Sequence, residues 1–103
     1  MKNARTELLN FLKALSGVKC AELSFSNWRM STNKELKLKI GYSLSDWGAF
    51  LDGLDKEYDS GYGGQELSGT LWMTDGTWCT RGEYDGSEWW EHNVIPEIPK
   101  HLL

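Results

Sequence analysis

The chain has 103 residues and a net charge of −4, with 40% hydrophobic and 25% charged residues. This length supports a single domain, residues 1–103, and this composition excludes a disordered chain. No run approaches the roughly 18 apolar residues of a membrane-spanning helix, so we expect no membrane partner. The start of the chain lacks the continuous apolar stretch of a signal peptide, and Cys20 and Cys79 form no CxxC motif. Both observations are typical of a cytoplasmic protein with reduced thiols.

Charge is distributed unevenly along the chain. Residues 1–42 hold eight Lys and Arg against three Glu, whereas residues 43–103 hold three Lys and Arg against twelve Asp and Glu. Two oppositely charged halves can neutralise each other within one fold. The alternative is an acidic surface that meets a basic partner or mimics nucleic acid.

The first half of the chain predicts one helix and two strands. "RTELLNFLKALSG" predicts a helix with Thr6 as N-cap, Gly17 as its stop and an apolar stripe of Leu8, Leu9, Phe11, Leu12 and Leu15. "VKCAELSFS" alternates as a strand whose inward residues are Ala21, Leu23 and Phe25. "ELKLKIGYS" alternates more regularly, with inward Leu36, Leu38, Ile40 and Tyr42. We expect these two strands to pair as an antiparallel hairpin.

The second half repeats this order of elements. "SLSDWGAFLDGLDKEY" predicts a helix capped by Ser43 or Ser45, with Asp46 near its positive end and a stripe of Trp47, Phe50, Leu51 and Leu54. A Gly-rich loop then leads into the strand "ELSGTLWMT". The dipeptide Asp75–Gly76 follows and predicts a two-residue type I′ hairpin turn. Both central residues of such a turn need positive φ, and Asp followed by Gly is one of the residue pairs that meet this need.

That turn fixes a register for the second hairpin. Met73 would lie opposite Trp78, and Trp72 would lie opposite Cys79. One face would then carry the predicted core residues Leu67, Leu71, Met73, Trp78 and Tyr84. The other face would carry Thr70, Trp72, Cys79, Arg81 and Glu83.

The order of elements predicts an α+β fold, α-β-β-α-β-β, with a four-stranded antiparallel sheet, two helices on one face and an extended C-terminal tail. The halves also share letters, since "FLKAL" resembles "FLDGL" and "AELSFSNW" resembles "QELSGTLW". An αββ duplication over residues 6–42 and 45–84, with a tail over 85–103, is one hypothesis, and chance similarity is the other. As an edge strand, "AELSFS" could pair with a second copy, so monomer and homodimer both stay open.

Glu-Tyr-Asp occurs twice, in "EYDSGYGG" and in "EYDGSEWW", each time before a Gly/Ser turn. One interpretation is structural, because Asp hydrogen-bonds the backbone of a following turn and Gly supplies its positive φ. The other is a contact surface, in which aromatic side chains act as anchors and carboxylates give orientation. The predicted contact residues are Tyr58, Asp59, Tyr62, Glu83, Asp85, Glu88, Trp89 and Trp90.

The sheet face without helices allows two further interpretations. Trp72 beside Lys37, Lys39 and Arg81 resembles the platforms on which single-stranded nucleic acid stacks. Alternatively, the tail folds back over Trp72 through Trp89, Trp90, Val94 and Ile95, because exposed apolar patches are usually avoided. The net charge is acidic, and the predicted strand pair carries only one Trp on this face. Both facts favour the covered face, so nucleic acid is not the expected partner.

Clustered carboxylates raise the question of metal chemistry. Asp59, Glu83, Asp85 and His92 could hold a divalent cation or act as acid and base in hydrolysis. The sequence has no HExxH, DxDxDG or GxSxG motif, and "SGYGGQ" lacks the Lys of a P-loop. A solvated acidic rim is the commoner explanation, so we predict no catalytic residues, no metal and no cofactor. A metal-dependent hydrolase or a ligand-binding protein is the alternative function.

The segments "EYDSGYGGQELSGTLWMTDGTW" and "RGEYDGSEWWEHNVIPEIP" resemble small uncharacterised proteins of tailed bacteriophages and prophages. The resemblance covers residues 57–99. It implies a non-enzymatic accessory protein in the host cytoplasm that binds a host protein, and no residue role comes with it. The expected contact is the acidic, aromatic surface of the C-terminal half.

Overall fold

The computed structural model describes residues 2–27, 32–58, 66–84 and 87–103. In chain order its elements are β1 (Lys2–Asn3), α1 (Ala4–Leu12), β2 (Val18–Asn27), β3 (Thr32–Leu38), α2 (Leu44–Leu54), β4 (Glu57–Tyr58), β5 (Leu67–Met73), β6 (Trp78–Tyr84), β7 (Ser87–Asn93) and a short 3₁₀ helix (Lys100–Leu102).

The main sheet has five antiparallel strands in the order β3-β2-β5-β6-β7, and β1 pairs with β4 in a separate two-stranded ribbon. The predicted α+β class and antiparallel sheet are confirmed, but the predicted number of four strands is one too few. The additional strand is β7, which the sequence predicted as part of an extended tail. Glu88 and Trp90 of β7 are buried, whereas Ser87, Trp89 and Glu91 are exposed, and this period of two is typical of a strand.

Both helices pack on the same face of the sheet. From α1, Phe11 stacks on Trp90 with 6.2 Å between ring centroids. From α2, Gly53 lies so close to β3 that a Cβ there would overlap the side chain of Leu36. The strand register places Leu36 and Trp90 on one side of the sheet. The predicted arrangement of two helices on one face is therefore confirmed.

The start of α2 is the local feature that the sequence predicted best. Ser43 is the N-cap, its side chain accepts a hydrogen bond from the backbone N–H of Asp46, and the Asp46 carboxylate accepts one from the backbone N–H of Ser43. This is a capping box, which satisfies two helix-terminal N–H groups reciprocally. Trp47, Phe50, Leu51 and Leu54 form the expected stripe toward the core.

The ends of α1 differ from the prediction. Asn3, not Thr6, is the N-cap, and its side-chain oxygen accepts a hydrogen bond from the backbone N–H of Thr6. The helix ends at Leu12 rather than near Gly17. After it, the carbonyl of Gly17 accepts a hydrogen bond from the backbone N–H of Thr74, which ties the chain to the β5–β6 turn.

The core lies between the helices and the sheet. It is formed mainly by aliphatic side chains from both helices and from the strands; the buried hydrophobic residues are Ala4, Leu8, Val18, Ala21, Leu23, Leu36, Leu38, Phe50, Leu51, Leu54, Leu67, Leu71, Met73, Cys79 and Trp90. Phe25, Tyr42 and Trp47 pack against this cluster while partly exposed. Ile40 was predicted to face inward, but β3 ends at Leu38 and Ile40 is exposed.

The β5–β6 hairpin is shifted by one residue from the predicted register. Thr70 lies opposite Thr80, Leu71 opposite Cys79, and Trp72 opposite Trp78. The turn has three residues rather than two, because the N–H of Met73 donates to the carbonyl of Thr77 and only Gly76 has positive φ, at 86°. A type I turn followed by one left-handed residue is the usual three-residue hairpin.

This shift exchanges the two faces of β6 but leaves β5 as predicted. Trp78 and Tyr84, predicted to lie in the core, are on the side away from the helices. Cys79, Arg81 and Glu83, predicted on that outer side, are on the helix side. Leu67, Leu71 and Met73 are buried as expected. A one-residue slip moves every side chain of the shifted strand to the other face.

Candidate binding surface

The sheet face opposite the helices is the candidate site, and we call it the open face. The register of the five strands assigns to it Glu35 and Lys37 of β3; Cys20, Glu22 and Ser24 of β2; Ser68, Thr70 and Trp72 of β5; Trp78, Thr80, Gly82 and Tyr84 of β6; and Ser87, Trp89, Glu91 and Asn93 of β7. In the described part of the chain, both helices lie on the other side.

Aromatic rings lie across the open face. Trp72 is on the central strand β5, is 44% exposed and lies opposite Trp78 of β6. Trp89 of β7 is 37% exposed. The predicted cover for Trp72 does not form, because Trp90 enters the core while Val94 and Ile95 are themselves exposed. The open face therefore presents its aromatic rings to solvent.

Gly82 determines how Trp89 lies on this surface. The two residues are opposite each other in the β6–β7 pair, and a Cβ at Gly82 would overlap the indole of Trp89. The Trp89 ring thus covers the backbone of Gly82, which has no side chain. An aromatic ring that covers a glycine on the neighbouring strand helps to fix the register of the two strands. The indole Nε1–H also donates to the Glu91 carboxylate at 2.9 Å, which holds the ring in this orientation.

Two shallow cavities flank Trp72. One, of about 250 Å³, lies toward β2 and β3 and includes the carboxylates of Glu22 and Glu35 in its lining. The other, of about 320 Å³, lies toward the β5–β6 turn, where Cys20, Ile40 and Met73 contribute to a mainly apolar wall. Trp72 thus lies between a cavity lined by two carboxylates and a mainly apolar cavity that Lys19 also lines.

The predicted contact residues are not brought together on one surface. Glu83 and Trp89 are exposed, but Glu88 and Trp90 are buried and cannot contact a partner in this fold. Asp59, Tyr62 and Asp85 lie outside the described residues, as does the side chain of Tyr58. The burial of Glu88 and Trp90 follows from the fifth strand, which sequence reasoning missed.

Glu88 and Trp90 instead belong to a buried ionic cluster beneath α1. Arg81 Nη1 lies 3.1 Å from Glu7 Oε1, and Arg81 Nη2 lies 3.1 Å from Glu88 Oε1. The Arg81 guanidinium also lies 5.0 Å from the centre of the Trp90 ring. The side chains of Arg81 and Glu88 are almost completely buried, at 1% and 0% exposed. The cluster links α1 to β6 and β7, so its role is structural.

Glu88 has a second function in the fold. Its carboxylate accepts hydrogen bonds from the backbone N–H groups of Glu66, at 2.8 Å, and Leu67, at 3.1 Å. These two amides begin the central strand β5. A buried carboxylate that accepts several hydrogen bonds is compensated for its loss of water. Nothing in the local sequence around Glu88 predicts this pairing.

The arrangement of β6 excludes the base-stacking set predicted around Trp72. Arg81 is on the opposite side of the sheet, buried against Glu7 and Glu88. Lys37 does lie on the open face, but its Nζ is 3.6 Å from the carboxylate of Glu35. Of the two cavities beside Trp72, the one toward β2 and β3 is lined by two carboxylates and by no Lys or Arg among the described residues, whereas Lys19 lines the one toward the β5–β6 turn. The cavity with the two carboxylates repels a phosphate backbone.

The carboxylate and histidine set does not form a metal site in the described residues. Glu83 and His92 occupy register positions four residues apart along the β6–β7 ladder, which corresponds to about 13 Å. His92 Nε2 instead lies 2.8 Å from the hydroxyl of Thr77. Within residues 2–27, 32–58, 66–84 and 87–103, no group of three or more possible metal ligands occurs. Asp59 and Asp85 lie outside these ranges.

Two groups near the hairpin have shifted pKa values. The Thr77 side chain, which donates to the Asp75 carboxylate, lowers the pKa of Asp75, and the Thr77 backbone N–H acts in the same direction. A lowered folded-state pKa means that this contribution to stability is present above the ordinary Asp range and is lost as pH falls through the lowered value. Burial raises the pKa of the Cys79 thiol.

Comparisons of the chain with family models, with curated proteins and with solved structures found no match. Among the described residues, no helix is long and apolar enough to cross a membrane. The site is therefore described by its geometry alone: exposed aromatic rings on a five-stranded sheet, with an acidic and an apolar cavity on either side of Trp72.

Proposed function

We propose that this protein is a non-enzymatic binding protein and that its open face contacts a partner protein. The observation that carries the proposal is Trp72, an exposed indole on the central strand with a cavity on each side. Contiguous exposed apolar surface, rather than a single exposed side chain, marks an interaction site, and Trp72 shares an apolar cavity with the exposed Ile40. Trp is also among the residues that contribute most binding energy at protein interfaces.

The chemistry around Trp72 suggests the character of the partner. An apolar side chain of the partner fits against Trp72 and the exposed side chain of Ile40, which line the same cavity. Basic side chains fit the cavity that contains Glu22 and Glu35. Complementary charge of this kind gives orientation and a faster association rate. The resemblance to bacteriophage proteins, which rests on the sequence, adds a host protein as the expected partner.

The proposal keeps the predicted function but moves the predicted surface. The Glu-Tyr-Asp segments and the buried pair Glu88 and Trp90 give way to the open face, on which Trp89 is retained. Trp72, which the sequence offered either as a base-stacking residue or as a residue covered by the tail, becomes the central anchor. The surface is again aromatic, but the carboxylates beside Trp72 come from Glu22 and Glu35 of the first half of the chain rather than from the acidic C-terminal half.

The test compares capture of a bacterial protein by the wild type and by two matched variants. Trp72→Ser removes the proposed anchor. Leu44→Ser removes an even more exposed apolar side chain, at 89% exposed, from the start of α2 in the helix layer. We expect Trp72→Ser to weaken binding of the captured protein by at least about 30-fold, because truncating a central Trp typically costs about 2 kcal/mol or more. Leu44→Ser should bind as the wild type does.

Both variants are first checked for unchanged unfolding by urea, since both replaced side chains are exposed. Retention of binding by Trp72→Ser, or equal loss in both variants, would contradict the assignment of the open face. If the wild type captures no specific protein from a bacterial lysate, the expectation of a host partner fails.

A further inference from the structure

Strand β3 has a free edge. It is the outermost strand of the main sheet and pairs with β2 alone among the described strands. Its other edge presents a row of backbone N–H and C=O groups without strand partners in the described part of the chain. Such an edge is a template for a further strand, and proteins that keep it unpaired protect it with a bulge, a proline, a cover or charged side chains, especially Lys. The sequence of β3, TNKELKL, contains no proline but carries Lys34 and Lys37, so its charges decide which strand can pair with it.

The charges of β3 are complementary to those of a second β3. When two copies pair antiparallel about Leu36, Glu35 of each copy lies opposite Lys37 of the other. Moving the register by two residues places either Glu35 opposite Glu35 or Lys37 opposite Lys37, and like charges directly opposite are destabilising. Glu35 and Lys37 are both more than half exposed; within one copy Lys37 Nζ lies 3.6 Å from the Glu35 carboxylate, and in the dimer each charge also meets its opposite across the two-fold axis. Among these three registers, the one centred on Leu36 is the one that places no like charges opposite each other at positions 35 and 37.

A groove beside β3 leaves room for the added strand. It has a volume of about 420 Å³ and is lined by residues 35–39 and by Asp46, Ala49 and Phe50 of α2. The side of α2 that faces this groove includes the small residue Ala49, and Gly53 lies against Leu36. Of these two residues, Ala49 lines the groove, and its small side chain leaves space between α2 and its symmetry copy above the paired strands.

The other outer strand, β7, lacks this self-complementarity. It carries Glu88 and Glu91 but no Lys or Arg, and Glu88 is already committed to Arg81 and to the start of β5. Pairing of two β7 strands would bring no opposite carboxylate–ammonium charges together. The two edges of the sheet are therefore not equivalent, and β3 is the one suited to a second copy.

We propose that this protein forms a two-fold dimer by antiparallel pairing of β3 with β3 of a second copy, centred on Leu36. The result is a ten-stranded sheet, and the interface is isologous, as in most homodimers. The two-fold axis is perpendicular to the sheet, so both open faces lie on the same side and all four helices lie on the other. The partner of β3 is thus a second copy of this chain rather than a foreign peptide.

The predicted dimer differs from the one considered from sequence. There the segment "AELSFS" was the candidate edge, but it belongs to β2, which is enclosed between β3 and β5. The proposal also stands apart from the proposed binding function, because it uses a different surface. If both hold, two open faces act together and binding to a repeated partner gains from bivalency.

A charge-exchange series tests the proposal by light scattering after size exclusion, over a wide range of protein concentration. We expect the wild type to have twice the monomer mass. Glu35→Lys and Lys37→Glu each replace two attractive pairs with two repulsive ones. Each should raise the dimer dissociation constant by about tenfold or more. Lys13→Glu makes the same charge change at an exposed position of the segment after α1 and should leave the dimer intact.

Two combinations identify the register. The double variant Glu35→Lys/Lys37→Glu restores opposite charges and should dimerise as the wild type does. An equimolar mixture of the two single variants should form a mixed dimer, because a chain with two lysines at these positions then faces a chain with two glutamates. A wild type that is monomeric at every concentration overturns the proposal. So does a dimer that survives both single exchanges, or single variants that stay apart when mixed.

Discussion

Arg81 shows how much one buried residue can decide in this fold. Its guanidinium lies between the carboxylates of Glu7 and Glu88 and beside the ring of Trp90. These groups come from α1, β6 and β7, so the cluster holds a helix and the last two strands together. A buried ion pair is not by itself strongly stabilising, but removing one partner leaves a buried charge uncompensated.

We therefore expect Arg81→Met to lower the free energy of unfolding by about 3–5 kcal/mol at neutral pH. The side chains are similar in length, so the loss is mainly that of the charge and its hydrogen bonds. Urea unfolding followed by circular dichroism measures the change. Lys13→Met, at an exposed position, is the control and should change the stability by about 0.5 kcal/mol or less. If the two substitutions changed the free energy of unfolding equally, the ionic cluster would not stabilise the fold more than an exposed charge does.

Contacts between residues close in the sequence were predictable, and contacts between residues far apart in the sequence were not. Ser43 and Asp46 are three positions apart, and the capping box they form follows from helix chemistry alone. The apolar stripes of both helices were likewise visible in their period. By contrast, Arg81 and Glu7 are 74 positions apart. Their contact depends on where α1 crosses the sheet, which no local pattern encodes.

At the level of elements, the β5–β6 hairpin explains the principal error of the sequence prediction. Asp75–Gly76 correctly located the reversal, but the same dipeptide also suits a three-residue turn. The structure has that longer turn, in which Gly76 alone needs positive φ and Thr77 is held by Asp75. One additional residue in the turn was enough to transfer Arg81 and Cys79 to the core side.

The reactivity of the two cysteines in solution distinguishes the observed register of the β5–β6 hairpin from the predicted one. Cys20 lies on the open face and is partly exposed, whereas Cys79 is buried. We expect a thiol reagent at mildly alkaline pH to modify Cys20 in the native protein. Cys79 should react only on unfolding, because it is inaccessible and burial raises its pKa. Cys20→Ser and Cys79→Ser variants assign the two rates.

In the predicted two-residue register, Cys79 would lie on the open face beside Trp72 and would react readily. Modification of Cys79 in the folded protein, at a rate similar to that of Cys20, would therefore contradict the observed register. The experiment also tests the open face, because Cys20 lies opposite Trp72 in the β2–β5 pair.

At the scale of the whole molecule, the fold class was predictable but the extent of the sheet was not. Two helices and two hairpins follow from periodicity. The fifth strand does not, because SEWWEHN has adjacent tryptophans that face opposite sides of the sheet and one buried glutamate. A hydrophobicity pattern cannot identify Glu88 as an inward residue, because it is charged. Its charge is satisfied by tertiary contacts, which such a pattern does not show.

The candidate site depended on this missing strand. Trp89 was correctly selected as exposed, whereas Glu88 and Trp90 were placed with it on a surface that they do not share. The order β3-β2-β5-β6 also gives the two αββ units equivalent positions about the central β2–β5 pair. The duplication nevertheless remains a prediction, because sheet order alone does not separate descent from the rules of strand packing.

We expect the molecule to need β7 for folding but not the segment after it. A chain shortened to residues 1–86 loses Trp90 from the core and leaves Arg81 without Glu88, and these losses are comparable with the 5–15 kcal/mol that stabilises a typical domain. A chain of residues 1–93 loses Val94–Leu103, whose side chains are all exposed. Circular dichroism and urea unfolding should show the first chain unfolded and the second within about 0.5 kcal/mol of the full chain. A cooperatively folded 1–86 chain would refute the role given to β7.

The distribution of tryptophans gives the molecule its own optical reporters. Trp90 is enclosed by Phe11 and Arg81 and is only 7% exposed, so its indole is shielded by the helix layer. Trp72 and Trp89 are accessible to dissolved quenchers from the other side. A partner that settles on the open face would protect the accessible emission and leave the shielded emission unchanged. Association can thus be followed by intrinsic fluorescence, without attaching a dye to the protein.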